Sequence, residues 1–559
     1  MMIRVFSIIL LTAQFFQENH GYRILGIFPL NSRSHEMMFE SIMKGLSKRG
    51  HHVDVINHFP LKHPPKNYHN IIDLRGTMEN LVNNFTVDFV LGIAGDNVVY
   101  PLATLYGNRL CELMGLKEFQ DIIHNPPNNP PYDALITEAF GANCFMGIGH
   151  HLNIPIIAAS SAVEYPWVGH ITGNADNPAI VPNGLYSAFG ELNFWQRLEN
   201  TVEYFKATSM FHKLTEEYQT AVMRKYISPN LPNIREVEKS VSLTLVNSHP
   251  ILFGVKPVLP TLVQVGGIHV EESDSKVPED LKKWLDESQD GIIYFTFGSM
   301  VLIETLPTDT IKTLYASFSK IKPIRVLMKV ANTSKLPSGL PSNVHTMPWI
   351  PQSAVLGHKN IKAFMTHGGL MGTTEALYHG VPLIGVPLFA DQPRNIASFI
   401  AKGMSVKLSL SNMTESNVDE AIRSVLFDPK YRENARYYSK LFRDRPMSAM
   451  DSAIYWIEYT IRNGPTVLRP PSLNLTWWQL GLIDVYGFLT AIFLLFVLLI
   501  IFVVVFAVKN FSRLFYSKSN KMGFKLEEKK SYLSTPLTLK LRSTRSCGSR
   551  VSFGSAGPS

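Results

Sequence analysis

The sequence predicts an α/β protein of two parallel-sheet domains facing a cleft, followed by one transmembrane helix. Three observations predict it. Short apolar runs alternate with stretches of helical periodicity in two separate series, one opening at Tyr22 and the other at Asp290. The 559 residues, 45% of them apolar, are too many for one ordinary core and enough for two. Residues 485–508 carry no charge and are rich in Leu, Ile, Val and Phe, long enough to cross a bilayer.

The chain starts with MMIRVFSIILLTAQFF, a basic residue before an apolar run, which reads as a secretory signal peptide over residues 1–20. A first α/β domain is expected over 21–256. YRILGIFPL reads as its first strand, and SHEMMFESIMKGLSKRG as a helix with Met38, Ile42 and Leu46 on one face, Ser34 as cap and Gly50 as stop. HHVDVIN, TVDFVLGI, YDALITEAF and NIPIIAASS read as further strands. From Ala162 to Val255 the pattern loosens into aromatic- and Pro-rich loops and helices. A linker over 257–288 follows, and a second domain over 289–470 with strands in DGIIYFTFGS, IRVLMKV, NVHTMPWI, IKAFMTHGG and VPLIGVPLF.

After a juxtamembrane segment, 471–484, and the span, 485–508, comes a basic tail, 509–559, expected to be disordered. Trp477 and Trp478 precede the span and Lys509, Arg513 and Lys518 follow it, which puts the body on the lumenal side and the tail in the cytosol. The net charge of +8 does not point to nucleic acid: eleven Lys and Arg against two Glu follow residue 508, so the body is nearly neutral. Cys111 and Cys144 lie in the lumenal part, where the compartment allows a disulfide without requiring one. Sequons begin at Asn84, Asn332, Asn412 and Asn474.

The richest chemistry lies in THGGLMGTTEALYHGVPLIGVPLFADQ. His367, Gly368 and Gly369 form the turn from a strand into a helix, where free N–H groups and the helix dipole suit a diphosphate. FTFGSM offers a second such turn with Ser299. Glu375 can accept from a pair of vicinal hydroxyls, Trp349 offers an aromatic face to a planar base, and Gln352 can meet base or ribose. Asp391 and Gln392 combine accepting and donating groups for sugar hydroxyls. Each signal alone is common; their order and spacing are not.

WIPQ followed by THGGxxGTTEAxxxGVPxxxxPxxADQ closely resembles the signature of the UDP-glycosyltransferases, and the likeness reaches from IPIIAASS to LNLTWWQLGLIDV. The resemblance is greatest to the membrane-anchored animal branch. It implies a GT-B fold, two Rossmann-like domains facing a cleft, with the donor held by the second. By motif, Trp349 would stack on uracil and Gln352 contact the nucleoside. Ser299, His367, Gly369, Gly372 and Thr373 would hold the diphosphate, Glu375 the ribose, and Asp391 with Gln392 the sugar. Many relatives carry Asn where this chain has Met371, which shifts phosphate binding toward backbone N–H groups and Thr373. His35, at the start of the first helix, matches the family's general base. Glu138 falls where relatives place an orienting Asp, with Asp133 as fallback.

The resemblance thus predicts a single inverting displacement that moves a sugar, preferably glucose, from UDP to a hydroxyl of a small lipophilic acceptor. Conjugation for detoxification in the endoplasmic reticulum membrane would follow. Acceptor contacts are expected from YPWVGH and LNFWQRLEN. UDP-glucuronate is the alternative donor. A non-catalytic single-span receptor with two lobes, and an enzyme acting on polysaccharide or lipid, are alternative functions. No cofactor is expected, UDP-sugar being a co-substrate, and no metal, since no Asp-x-Asp pair is present. The neighbouring His51-His52 and His150-His151 lack metal-ligand spacing. A homo-oligomer is left open.

Overall fold

The computed structural model describes residues 21–530 apart from 96–97, 163, 175–176, 186–188 and 272–275. The signal segment 1–20 and the tail beyond residue 530 lie outside the described residues. Through Asn474 the chain forms one unit that contains two parallel sheets, and the residues from Leu475 form a second.

The first sheet has seven strands in the order β3-β2-β1-β4-β5-β6-β7. They are β1 (Arg23–Phe28), β2 (His52–Asn57), β3 (Tyr68–Asp73), β4 (Ala134–Glu138), β5 (Ile156–Ser160), β6 (Val241–Val246) and β7 (Leu262–Gln264). The second has six in the order β10-β9-β8-β11-β12-β13: β8 (Ile292–Thr296), β9 (Arg325–Lys329), β10 (Val344–Met347), β11 (Ile361–Thr366), β12 (Leu383–Gly385) and β13 (Ser405–Lys407). All pairings between these strands are parallel. The central strands are buried along their length, as sheets covered on both faces require. In each sheet the strand order reverses beside its first strand, at β1/β4 and β8/β11, and such reversals leave a crevice beyond the carboxyl ends.

The helices that matter to the site are α1 (Arg33–Lys48), α2 (Val87–Gly95), α3 (Val99–Ala103), α4 (Pro166–Ile171), α5 (Phe194–Tyr226), α6 (Ile268–Glu271), α7 (Gln352–Leu356), α8 (Leu370–His379), α9 (Gln392–Ala401) and α10 (Ala449–Asn463). The second unit contains α11 (Ile483–Lys530).

Several boundaries differ from the sequence reading. TVDFVLGI is helix α2 rather than a strand, because a short apolar run without clear alternation fits either element and the packing partner decides. The cap position of α1 is Ser32, two residues earlier than expected, which brings His35 inside the first turn. Strand β7 falls in the expected linker, where Thr261 and Val246 lead it onto the edge of the first sheet. Helix α10, in the stretch assigned to the second domain, buries Met450, Ala453, Ile454 and Ile457 in the core of the first, against Met38, Ile42 and Leu46. The stretch Lys509–Lys530, expected to be disordered, continues α11. That helix is long and apolar enough over Ile483–Met522 to cross a membrane, with a mean hydropathy of 3.6 in its most apolar window. Cys111 and Cys144 are paired, with Cα atoms 6.1 Å apart.

Candidate active site

The two reversals open onto one cleft with a cavity of about 330 Å³. From the first sheet, α1 leaves β1 and carries His35 into it. The Nδ1 of His35 lies 2.6 Å from Oε1 of Glu138, the last residue of β4. Ser161 donates to the same oxygen at 3.3 Å, and Phe140 packs on the imidazole with ring centroids 4.9 Å apart. With Nδ1 engaged, Nε2 is the nitrogen left for a ligand. Asp133 sits at the other end of β4, where it accepts from the Arg23 backbone at 2.8 Å, so it is remote from His35.

From the second sheet, Ser299 lines the cleft after β8 and His367 after β11. The His367 turn needs its glycines: Gly368 has φ +88, and a Cβ on Gly369 or Gly298 would fall within 3.0 Å of the imidazole. Helix α8 starts at Leu370 without a side-chain cap, so its first N–H groups remain available at the cleft. Burial, with the nearby Lys329, lowers the His367 pKa to about 4, so the ring is neutral at physiological pH.

Tyr294 donates to Oε1 of Gln352 at 3.2 Å, and Nε2 of Gln352 donates to Glu375. Gly372 leaves room for this amide, since a Cβ there would meet Nε2 at 3.0 Å. Burial raises the Glu375 pKa to about 7 against that hydrogen bond. Behind Glu375 stands His269 of α6, buried, its Nε2 3.9 Å from the carboxylate. Trp349 remains 46% exposed at the cleft wall, so an aromatic face is open. Asp391 follows Ala390, whose φ of +54 turns the chain at the mouth of α9, and its carboxylate accepts from Asn395 at 2.7 Å. Burial raises the Asp391 pKa. The Gln392 carbonyl accepts from the backbone N–H groups of Leu388 and Phe389 at 2.8 and 3.1 Å, which directs its amide N–H groups elsewhere.

Two expectations fail. Thr373 is buried in α8, and its hydroxyl donates to the carbonyls of Gly369 and Leu370, so it does not present itself to the cleft. LNFWQRLEN does not line the cleft: Phe194, Trp195 and Leu198 are exposed, while Leu192 and Asn200 are buried elsewhere in the domain. From YPWVGH only Tyr165 lines the cleft, Trp167 being stacked on Phe211 in the core. Met371 lines the cleft and reaches across to the first domain, its sulfur 3.1 Å from Nδ2 of Asn247.

One cleft residue escaped the sequence reading. Lys329 ends β9, and its Nζ donates to the Gly298 carbonyl at 2.9 Å and to Asn83 of the first domain at 2.5 Å, 5.7 Å from the Trp349 ring centre. Burial lowers its pKa to about 8. The signal available was its place: a cation at the carboxyl end of a parallel strand lies on the ligand side. Asn83 belongs to a segment that locks the lobes together, Asn83, Asn84 and Phe85 donating to Ser299 and Met300.

Glycine turns that open onto helix starts suit an anion such as a diphosphate, and comparison with known proteins decides the family. The family described as "UDP-glucoronosyl and UDP-glucosyl transferase" matches residues 108–520. The chain belongs to the UDP-glycosyltransferase family. It is 36% identical over 497 residues to UDP-glucosyltransferase 2 of Dactylopius coccus, covering 88% of this chain and 93% of that one. With UDP-glucuronosyltransferase 2A3 of Mus musculus it shares 28% over 523 residues, 88% and 93% of the two chains. Among solved structures, Phytolacca americana UGT2 complexed with UDP-2fluoro-glucose and pterostilbene matches with a TM-score of 0.53 at 16% identity, over 79% of this chain and 100% of that one. This UDP-glycosyltransferase is therefore an enzyme with the two-sheet GT-B-like fold, and its C-terminal apolar helix suits a single-pass membrane protein.

Proposed function

We propose that this UDP-glycosyltransferase moves glucose from UDP-glucose to a hydroxyl of a small lipophilic acceptor with inversion at the anomeric carbon. The observation that carries the reading is the 2.6 Å pair of His35 and Glu138, facing the His367 turn across the cleft. Nε2 of His35 takes the acceptor proton while the acceptor oxygen bonds to the anomeric carbon. The bond from that carbon to the β-phosphate oxygen breaks, and its electron pair leaves with UDP. Glu138 keeps the ring oriented and stabilises the imidazolium. The N–H groups opening α8, Ser299 and the Lys329 ammonium meet the charge that UDP gains, without a metal or cofactor in the scheme. Glu375, held by Gln352, takes the ribose hydroxyls, and Trp349 takes uracil.

The cations lining the cleft among the described residues support glucose over glucuronate. They are Arg33, which pairs with Glu40 at 2.8 Å, and Lys329, which is beside Trp349 at the nucleotide end. The sugar end offers Asp391, a poor neighbour for a second carboxylate. The apolar side chains Ile93, Leu102, Phe140 and Tyr165 on the first-domain wall suit a lipophilic acceptor. The paired cysteines, the exposed sequon residues Asn84, Asn332, Asn412 and Asn474, and the basic residues after the span support a body in the lumen of the endoplasmic reticulum. Microsomes incubated with UDP-[¹⁴C]glucose or UDP-[¹⁴C]glucuronate and a panel of phenols and steroids test the assignment. Faster transfer from the glucuronate donor overturns the choice of sugar, and transfer from neither removes the catalytic reading in favour of a receptor.

A further inference from the structure

We infer that the first three turns of α5 form a lipid-docking surface, by which the body rests on the bilayer that its own C-terminal helix enters. Phe194, Trp195, Leu198, Val202 and Phe205 are between 45% and 72% exposed. At 3.6 residues per turn they fall within an arc of about 100°. Asn200, Tyr204, Ala207, Thr208 and Phe211, the buried residues of the first five turns, centre about 140° away round the helix. The stripe is thus a second apolar face, distinct from the one that holds α5 to the domain. Glu199, Glu203 and Lys206 border it on the far side, so the exposed part of the helix is itself divided into apolar and charged halves. An amphipathic helix with an aromatic-rich apolar face lies in the bilayer interface, and Trp is at home there.

The route of the chain selects a lipid surface as the occupant. The body ends on the first domain, where Ser472 donates to the Gly173 carbonyl at 2.7 Å and Leu473 is buried. Gly173 follows α4 and its N–H bonds the His170 carbonyl, while Nε2 of His170 lies 2.7 Å from the Tyr204 hydroxyl of α5. The chain therefore leaves the body next to α4, which the contact between His170 and Tyr204 joins to α5. Eight residues, 475–482, separate this point from Ile483, a reach of at most about 28 Å. A second copy is the less fitting occupant: the five side chains expose roughly 600 Å², short of the about 800 Å² per partner of a stable interface. Tyr100 and Leu105 are also exposed, and Pro101 and Leu102 beside them line the cleft, so one layer of helix separates this surface from the acceptor wall.

The full chain in phosphatidylcholine proteoliposomes tests this, with Cys547→Ser to remove the thiol outside the disulfide. Single cysteines at Leu198, Val202 and Glu203 would carry the fluorophore NBD. Labels at 198 and 202 should be quenched by shallow nitroxide-bearing lipid and shielded from iodide, while the label at 203 should respond to iodide. Equal iodide quenching at all three positions overturns the proposal. Shielding from both quenchers, with crosslinking between copies, overturns it in favour of self-association. Since no turnover is measured, the outcome is independent of the donor and acceptor assignments.

Discussion

The base role proposed for His35 falls to Nε2, because Nδ1 is taken by Glu138. On the proposed mechanism, His35→Ala lowers kcat by about 10²–10⁴-fold, more for alcohols than for the more acidic phenols. UDP affinity by calorimetry stays unchanged, since the donor residues lie on the other sheet. Glu138→Gln costs less, because an amide still holds the ring but does not stabilise its cation. Glu375 gives a pH prediction. Its pKa, raised by burial to about 7 and faced by Gln352, Tyr294 and His269, means that the free enzyme is partly protonated at neutrality. If the ionised form accepts from ribose, UDP-glucose affinity rises as pH increases toward 7, by up to about tenfold per unit, and levels off above. His269, with a pKa near 4, stays neutral over that range. UDP-glucose is the ligand to use, because the terminal phosphate of UDP titrates nearby. Glu375→Gln should flatten the profile. Lys329→Met should weaken UDP by about 1.5–3 kcal/mol, the worth of a hydrogen bond to a charged group, read by the same calorimetry.

At the scale of elements, the strand-turn-helix joints could be read from the sequence because an apolar run gives way there to polar or glycine turn residues and then to helical spacing. β1 into α1 and β11 into α8 both stand where the pattern put them. Elements with weaker local signals were not readable: α2 is apolar nearly throughout, and β7 is only three residues long. Thr373 shows the same limit for a side chain. The resemblance implied that it meets a phosphate, but its hydroxyl turns back along the helix to Gly369 and Leu370. Thr373→Val should accordingly leave UDP affinity unchanged, and a loss comparable to Lys329→Met would contradict this orientation.

On the scale of the whole molecule, α10 ties the end of the catalytic body back to its beginning. Ile454→Ala and Ile457→Ala should each cost about 2–5 kcal/mol of stability in denaturant unfolding, although they lie more than 400 residues from α1, whose core they complete. The sequence by itself determined the two α/β series, the apolar segment and the residue types at each strand end, because periodicity, glycine turns and uncharged length are local properties of a chain. Only the tertiary structure decided which of those residues share a cleft. It set Glu138 against His35 and Lys329 against the Gly298 turn, turned LNFWQRLEN away from the cleft, and carried α10 onto the first sheet. Each of these depends on how sheets and helices pack across long stretches of chain, and side-chain direction at such contacts is settled by burial and by partners that no local pattern contains.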